Sequence, residues 1–160
     1  MLDIEYLNLP YRNNVGCIVK RKNYFLLVQL IGWPTNFWKF PQGGIENGES
    51  IFDAGMRELK EELGSSDFLI QGLSKVIHQY DWPEDSIIKA GFKWRGQIQQ
   101  FLLVEYFGKV DGININSSEI QKFRWVRQFN LPYYIDHDHP LFTNYKKSIE
   151  DVFIDFNLCK

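Results

Sequence analysis

Residues 50–64 carry both ends of a helix in their own sequence. Ser50 is a good N-cap, because its hydroxyl can accept from the free N–H groups of a first turn. Asp53, three residues on, comes close to completing a capping box. Gly64 stands just past Leu63, where a left-handed glycine ends a helix. The helix is therefore expected from about Ile51 to Leu63. On a wheel of about 100° per residue, Phe52, Met56, Leu59 and Leu63 fall within roughly 60° and are expected to face the core. Glu58, Glu61 and Glu62 fall on nearly the opposite side, within roughly 100° of one another. Ala54 and Gly55 share that side and are expected to leave open space above the backbone, while Lys60 points elsewhere. Carboxylates crowded on one face repel, and a divalent cation reverses that penalty. Mg²⁺ suits such a face, since it takes a few carboxylates together with phosphates and waters. The plainer alternative is a solvated acidic face, so the flanking sequence has to decide.

Upstream, residues 33–50 contain Pro34, Pro41, Gly43, Gly44 and Gly48. They read as a long loop of the functional kind, with one short strand near Trp38 to Phe40. Val15–Lys20 and Tyr24–Leu30 form β-rich runs around the polar turn Arg21-Lys22-Asn23, a hairpin. Phe68–Gln79, Gln97–Phe107 and Phe123–Val126 are further strands, with a mobile basic and aromatic segment expected at 81–96. Leu141, Tyr145, Ile149, Val152 and Phe156 follow helical spacing and predict a closing helix. Strands mixed with separated helices argue for an α/β sandwich, and 160 residues fit a single domain over 1–160.

Eighteen Lys and Arg against 20 Asp and Glu leave a net charge of −2, so nothing draws the chain globally to nucleic acid. Cys17 reads as a small core residue and Cys159 as part of a mobile end; neither fits a disulfide or metal pattern. No signal-peptide pattern or apolar run of membrane length is visible, which gives a cytoplasmic expectation with no membrane and no stable protein partner. His137 and His139 are read as part of a polar turn rather than as a second metal site.

The stretch Gly43-Gly44-Ile45-Glu46-Asn47-Gly48-Glu49, followed after seven residues by Arg57-Glu58-Leu59-Lys60-Glu61-Glu62-Leu63-Gly64, resembles the Nudix box. Every fixed position over 43–65 is filled at the right spacing except the last, where Ser65 replaces an apolar residue. The resemblance implies a Nudix-type α/β/α sandwich around a mixed β-sheet. It also implies hydrolysis of phosphoanhydride bonds with Mg²⁺, or Mn²⁺ in its place, and more than one ion. By it, Glu58, Glu61 and Glu62 ligate metal, with Gly43 beside them. Glu49 supports the loop–helix geometry, and Arg57 orients a carboxylate.

Tyr11-Arg12-Asn13-Asn14-Val15-Gly16, Trp38-Lys39-Phe40-Pro41-Gln42-Gly43-Gly44, Tyr80-Asp81-Trp82-Pro83 and Arg95-Gly96-Gln97 further resemble one branch of that family. It comprises the asymmetric dinucleoside tetraphosphate hydrolases and the bacterial RNA 5′-pyrophosphohydrolases. In that branch the glutamate of a later stretch, here Glu119, reaches a metal or acts as base. Substrate contacts are then expected from Arg12, Lys39, Gln42, Tyr80, Lys93, Arg95 and Gln97. Ile98 and Gln100 stand where the branch carries cations, which predicts a weaker phosphate grip or one supplied instead by Lys89, Lys93 or Arg95. The competing expectations are a pyrophosphatase of another nucleoside diphosphate derivative and a catalytically inactive nucleotide-binding Nudix module.

Overall fold

The β-branched and aliphatic runs near the start pair as expected. In the computed structural model, which describes residues 4–139 and 141–158, β1 (Tyr11–Arg21) and β2 (Tyr24–Leu30) form the hairpin. Lys22 takes the left-handed turn position, at φ 55°. β1 starts at Tyr11 rather than Val15, because its polar first residues pair in parallel with β5 (Gly96–Tyr106). β3 (Gln42–Gly44) also lies against β1. The strand expected at Trp38–Phe40 is thus displaced: Lys39 makes a single bridge with Val28, and the regular pairing falls on the glutamine and glycines that follow. Cys159 lies outside the described residues.

α1 (Ile51–Leu63) follows, then β4 (Phe68–Asp81), which pairs antiparallel with β5. The segment after β4 is not the mobile loop the composition predicts. It contains α2 (Glu84–Lys89), and the Trp82 N–H donates to the Arg95 carbonyl at 2.9 Å, closing the segment on itself. β6 (Ile120–Arg127) adds to β2, followed by the short α3 (Pro132–Ile135) and by α4 (Tyr145–Asp155). α4 begins at Tyr145, so Leu141 belongs to the loop before it.

The sheet runs β4-β5-β1-β2-β6, mixed because β1 and β5 are parallel. Alternation along the strands sends Val15, Cys17 and Val19 to a core beneath α1, and Ile18 and Phe101 to a second core beneath α3 and α4. The result is the expected three-layer α/β/α sandwich. Among the described residues, no helix is long and apolar enough to cross a membrane.

Candidate active site

Both ends of α1 are as the sequence reads them. The Ser50 Oγ accepts the Asp53 N–H at 3.0 Å, and Gly64, at φ 65° and ψ 23°, donates to the Lys60 carbonyl at 3.0 Å. Its faces are not. Ala54, Gly55, Leu59, Glu62 and Leu63 are buried, Met56 is half-buried, and Phe52 is exposed. A Cβ at Gly55 would come within 2.6 Å of Leu102, so this glycine lets the helix settle on β5 and against Cys17 and Val15 of β1. Ala54 and Gly55 therefore serve close packing rather than open space. They roll the acidic face partly into the protein, and Glu62 is only 5% exposed.

Arg57 fastens the preceding loop to this helix. Its Nε and Nη2 donate to the two carboxylate oxygens of Glu49 at 2.8 and 2.9 Å, a bidentate pair. Nη2 also donates to the Gly44 carbonyl at 2.9 Å, and Nη1 to Glu58 at 2.9 Å and Glu61 at 3.4 Å. Glu49 in turn accepts the Glu46 N–H at 3.0 Å. The Arg57 bonds, then that N–H, pull the Glu49 carboxyl down to about 2. The adjacent glycines have separate jobs: a Cβ on Gly43 would overlap the Glu58 carboxylate, and one on Gly44 would overlap the Arg12 guanidinium.

The glutamates face a cavity of about 640 Å³. Burial pushes the Glu62 carboxyl up, opposed by the Lys39 ammonium and reinforced by Glu58, Glu119 and Glu61. Burial also raises Glu58, against the pull of Arg57. Lys39, 2% exposed, is driven down by burial and held up by Glu62, Glu58 and Glu119. Glu119 arrives through a short chain of backbone bonds. The Asn116 N–H donates to the Glu62 carbonyl at 2.9 Å, and the Glu119 N–H to the Asn116 carbonyl at 3.0 Å. Among the described residues no three acidic, histidine or cysteine groups converge tightly enough to form a ready-made metal cage. The donors nevertheless fit a hard cation: they are carboxylates, and the buried Glu62 Oε2 has no hydrogen-bond partner.

Beside the cavity, two sets of buried amide bonds link the motif stretches in pairs. The Gln99 Nε2 donates to Asn14 Oδ1 at 2.7 Å and to Gln42 Oε1 at 2.8 Å. Gln97 donates to the Tyr80 hydroxyl at 2.8 Å. Arg12 lies over the Trp94 ring, 5.5 Å from its centroid. Of the residues expected at the site, Arg12, Lys39, Gln42, Gly43, Tyr80, Gln97 and the four glutamates all line this one cavity, with Arg57 behind them.

Lys93 and Arg95 are not brought there. Arg95 donates twice to Asp81, at 3.0 and 3.1 Å, and to the Leu7 carbonyl at 2.9 Å, while lying over Tyr11. Lys93 sits over Trp94, and Phe92 stacks on Tyr6. The basic and aromatic composition of this segment is spent on fastening residues 4–8 to the sheet. Ile98 and Gln100 do not line the cavity either, since strand alternation puts them opposite Gln97 and Gln99. The expectation of a depleted phosphate channel is corrected accordingly.

Sequence reasoning missed Asn14, Trp82, Ser118, Leu141 and Phe142 as cavity residues. The branch motifs contained Asn14 and Trp82, whereas the helical spacing had drawn Leu141 into α4. His137 and His139 stand in an aromatic stack, His137 on Phe37 at 4.8 Å and His139 on Trp33 at 4.7 Å.

This fold and cavity, together with the family and the relatives that the chain matches, make it a pyrophosphohydrolase. The NUDIX domain profile matches residues 10–145, and the chain belongs to that family. It is 35% identical over 131 residues to an RNA pyrophosphohydrolase of Orientia tsutsugamushi, covering 79% of this chain and 81% of the relative. It is 38% identical over 126 residues to one of Rickettsia canadensis, covering 76% and 78%. Similar folds include a C. elegans Ap4A hydrolase (TM-score 0.62, 18% identity, 91% of this chain and 96% of that one). A NUDIX hydrolase from Nitrosomonas europaea matches at TM-score 0.65 and 21% identity, over 94% and 96%.

Proposed function

We propose that this chain is a Mg²⁺-dependent RNA 5′-pyrophosphohydrolase, with residues 1–160 acting as one catalytic unit. The observation that carries the reading is one open cavity lined by four glutamates and also by Arg12, Tyr80 and Trp82. Such a cavity can hold a triphosphate between charge and ring while leaving the rest of a strand outside. The identity to RNA pyrophosphohydrolases over most of both chains supports the same substrate class.

Glu58, Glu61, Glu62 and Glu119, with the Gly43 carbonyl, would hold the cations, more than one Mg²⁺ or Mn²⁺. When bound, these ions supply the positive charge that offsets the phosphate oxygens and eases ionisation of water. Lys39 and Arg12 grip the phosphate chain, and Gln42 and Gln97 hold the backing wall in place. Arg57 fixes Glu58 and the loop bearing Gly43. Water attacks phosphorus, the anhydride P–O bond breaks with pyrophosphate as the leaving group, and Glu119 or a glutamate of α1 accepts the proton.

A dinucleoside polyphosphate is the second reading, favoured by aromatic rings on two separate walls, Trp82 and Phe142. A competition between 5′-triphosphate RNA and diadenosine tetraphosphate with Mg²⁺ separates the two. Preferential release of pyrophosphate from the RNA supports the proposal. Preferential formation of ATP and AMP overturns it in favour of the second reading.

A further inference from the structure

His78 is a buried polar residue with no place in the chemistry above. It is 7% exposed, on the same face of β4 as Tyr80 two residues on. Its ring lies against Tyr80 with centroids 4.6 Å apart. Its Nε2 is 2.6 Å from the Thr143 carbonyl. A carbonyl only accepts, so Nε2 carries the proton, and in the neutral ring Nδ1 keeps a lone pair. That Nδ1 is buried without a partner. Burial lowers the pKa of the ring, against the Thr143 bond, which favours the neutral donor form.

Thr143 follows two residues that line the cavity, Leu141 and Phe142. Phe142 lies 6.0 Å from the Lys39 ammonium and packs on Trp33 and His139. The start of α4 does not itself fix this loop. Asn144 sits in the left-handed region at φ 57°, and its side chain makes no cap bond. The Leu141 N–H donates to His139 Nδ1 at 3.1 Å and the Phe142 N–H to the His139 carbonyl at 2.9 Å, which fold the loop on itself, and the His78–Thr143 bond ties its end to β4.

We infer that His78 is a positioning residue that ties the Tyr80 wall of the cavity to the Phe142 wall and so sets the width of the substrate site. The inference rests on the cavity being that site. The two walls come from residues 78–80 and 141–143, and among the described residues this is the hydrogen bond that joins them. His78 acts through Tyr80 and Phe142, so it governs binding more than turnover.

The test uses two variants. His78→Phe keeps a ring against Tyr80 and removes the donor, whereas His78→Gln restores an N–H donor without the ring. In H78F, KM for 5′-triphosphate RNA is expected to rise about fivefold, as for the loss of one hydrogen bond, with kcat within about twofold. Amide exchange over residues 141–144 should quicken in H78F and return toward wild type in H78Q, along with KM. An unchanged KM in H78F, a fall in kcat that H78Q does not rescue, or unchanged exchange at 141–144 each overturns the inference. Failure of the wild-type protein to turn over any nucleoside polyphosphate would instead sink the proposed function. In that case the exchange measurement still decides whether the tether exists.

Discussion

Two arginines anchor the two flanks of the cavity, and they are put to opposite uses. Arg57 spends its donors on Glu49, Glu58, Glu61 and the Gly44 carbonyl, all part of the loop and helix that face the site. Arg95 spends its donors on Asp81 and the Leu7 carbonyl, which fasten residues 4–8 to the end of β4. Arg57 has all five N–H donors engaged, whereas Arg95 has three engaged and does not line the cavity. Arg57 matters because of the carboxylates it aims, whereas Arg95 only holds structure. Arg12, propped on Trp94 and facing the cavity, is the arginine placed to meet substrate. Counting cations near a site says little until their donors are followed to their acceptors.

The largest effect should come from Glu62, the buried glutamate of the helix that Arg57 braces. Glu62→Gln keeps size and hydrogen-bonding capacity but removes the charge facing the cation. We expect kcat to fall by about a thousandfold, equivalent to about 4 kcal/mol, with circular dichroism and melting temperature preserved. Near-normal turnover would remove Glu62 from the metal site. One step down, Arg57→Lys keeps the charge and loses the bidentate fork on Glu49. Steady-state kinetics should show a loss of about 10- to 100-fold, the range for residues that orient ligands. If the loss were no greater than for a surface charge, the clamp would be incidental.

The sequence separations of these bonds explain what was legible beforehand. Arg57 reaches partners at separations of 1, 4, 8 and 13 residues, so one loop and one helix contain the whole clamp and its spacing can be read directly. Arg95 reaches across 14 and 88 residues, and the Tyr11 hydroxyl donates to Asp81 across 70. No local pattern encodes those meetings, and a segment rich in Lys, Arg, Phe and Trp looked like a mobile contact surface. The inward roll of α1 was hidden for a related reason. The wheel weighs Phe52 as core, but Gly55 and Ala54 let the sheet approach on another side, and absent side chains carry no hydrophobic signal. Phe142 was invisible because its place depends on where α4 begins.

The box glutamates also divide by pH, which sharpens the contrast between held and waiting carboxylates. Glu62 and Glu58 are raised from the ordinary 4.5, chiefly by burial. The metal-free folded state thus binds more protons than the unfolded one. Their favourable contribution is present below pH 4.5 and is lost as pH rises through their folded values. A cation that binds the ionised carboxylates restores it. The melting-temperature gain from saturating Mg²⁺ should therefore be larger at about pH 8 than at about pH 5.5. Glu49 has the opposite sign: its pKa is lowered to about 2, so its contribution is present above 4.5 and is lost as pH falls through about 2. An Mg²⁺ gain independent of pH would mean that the ion binds elsewhere.

The smallest effect separates Arg12 from Arg95. Arg12→Ala should raise KM for the triphosphate substrate about tenfold, within the range for a charged hydrogen bond. Arg95→Ala should leave KM within about twofold, because Arg95 does not line the cavity and is held by Asp81 and the Leu7 carbonyl. The effect of Arg95→Ala should appear elsewhere, as faster amide exchange over residues 4–8 once the Leu7 tether is gone. If KM rose in R95A while exchange at 4–8 stayed slow, Arg95 would have to leave Asp81 to meet the substrate. The asymmetry between the two flanks would then not extend to substrate binding.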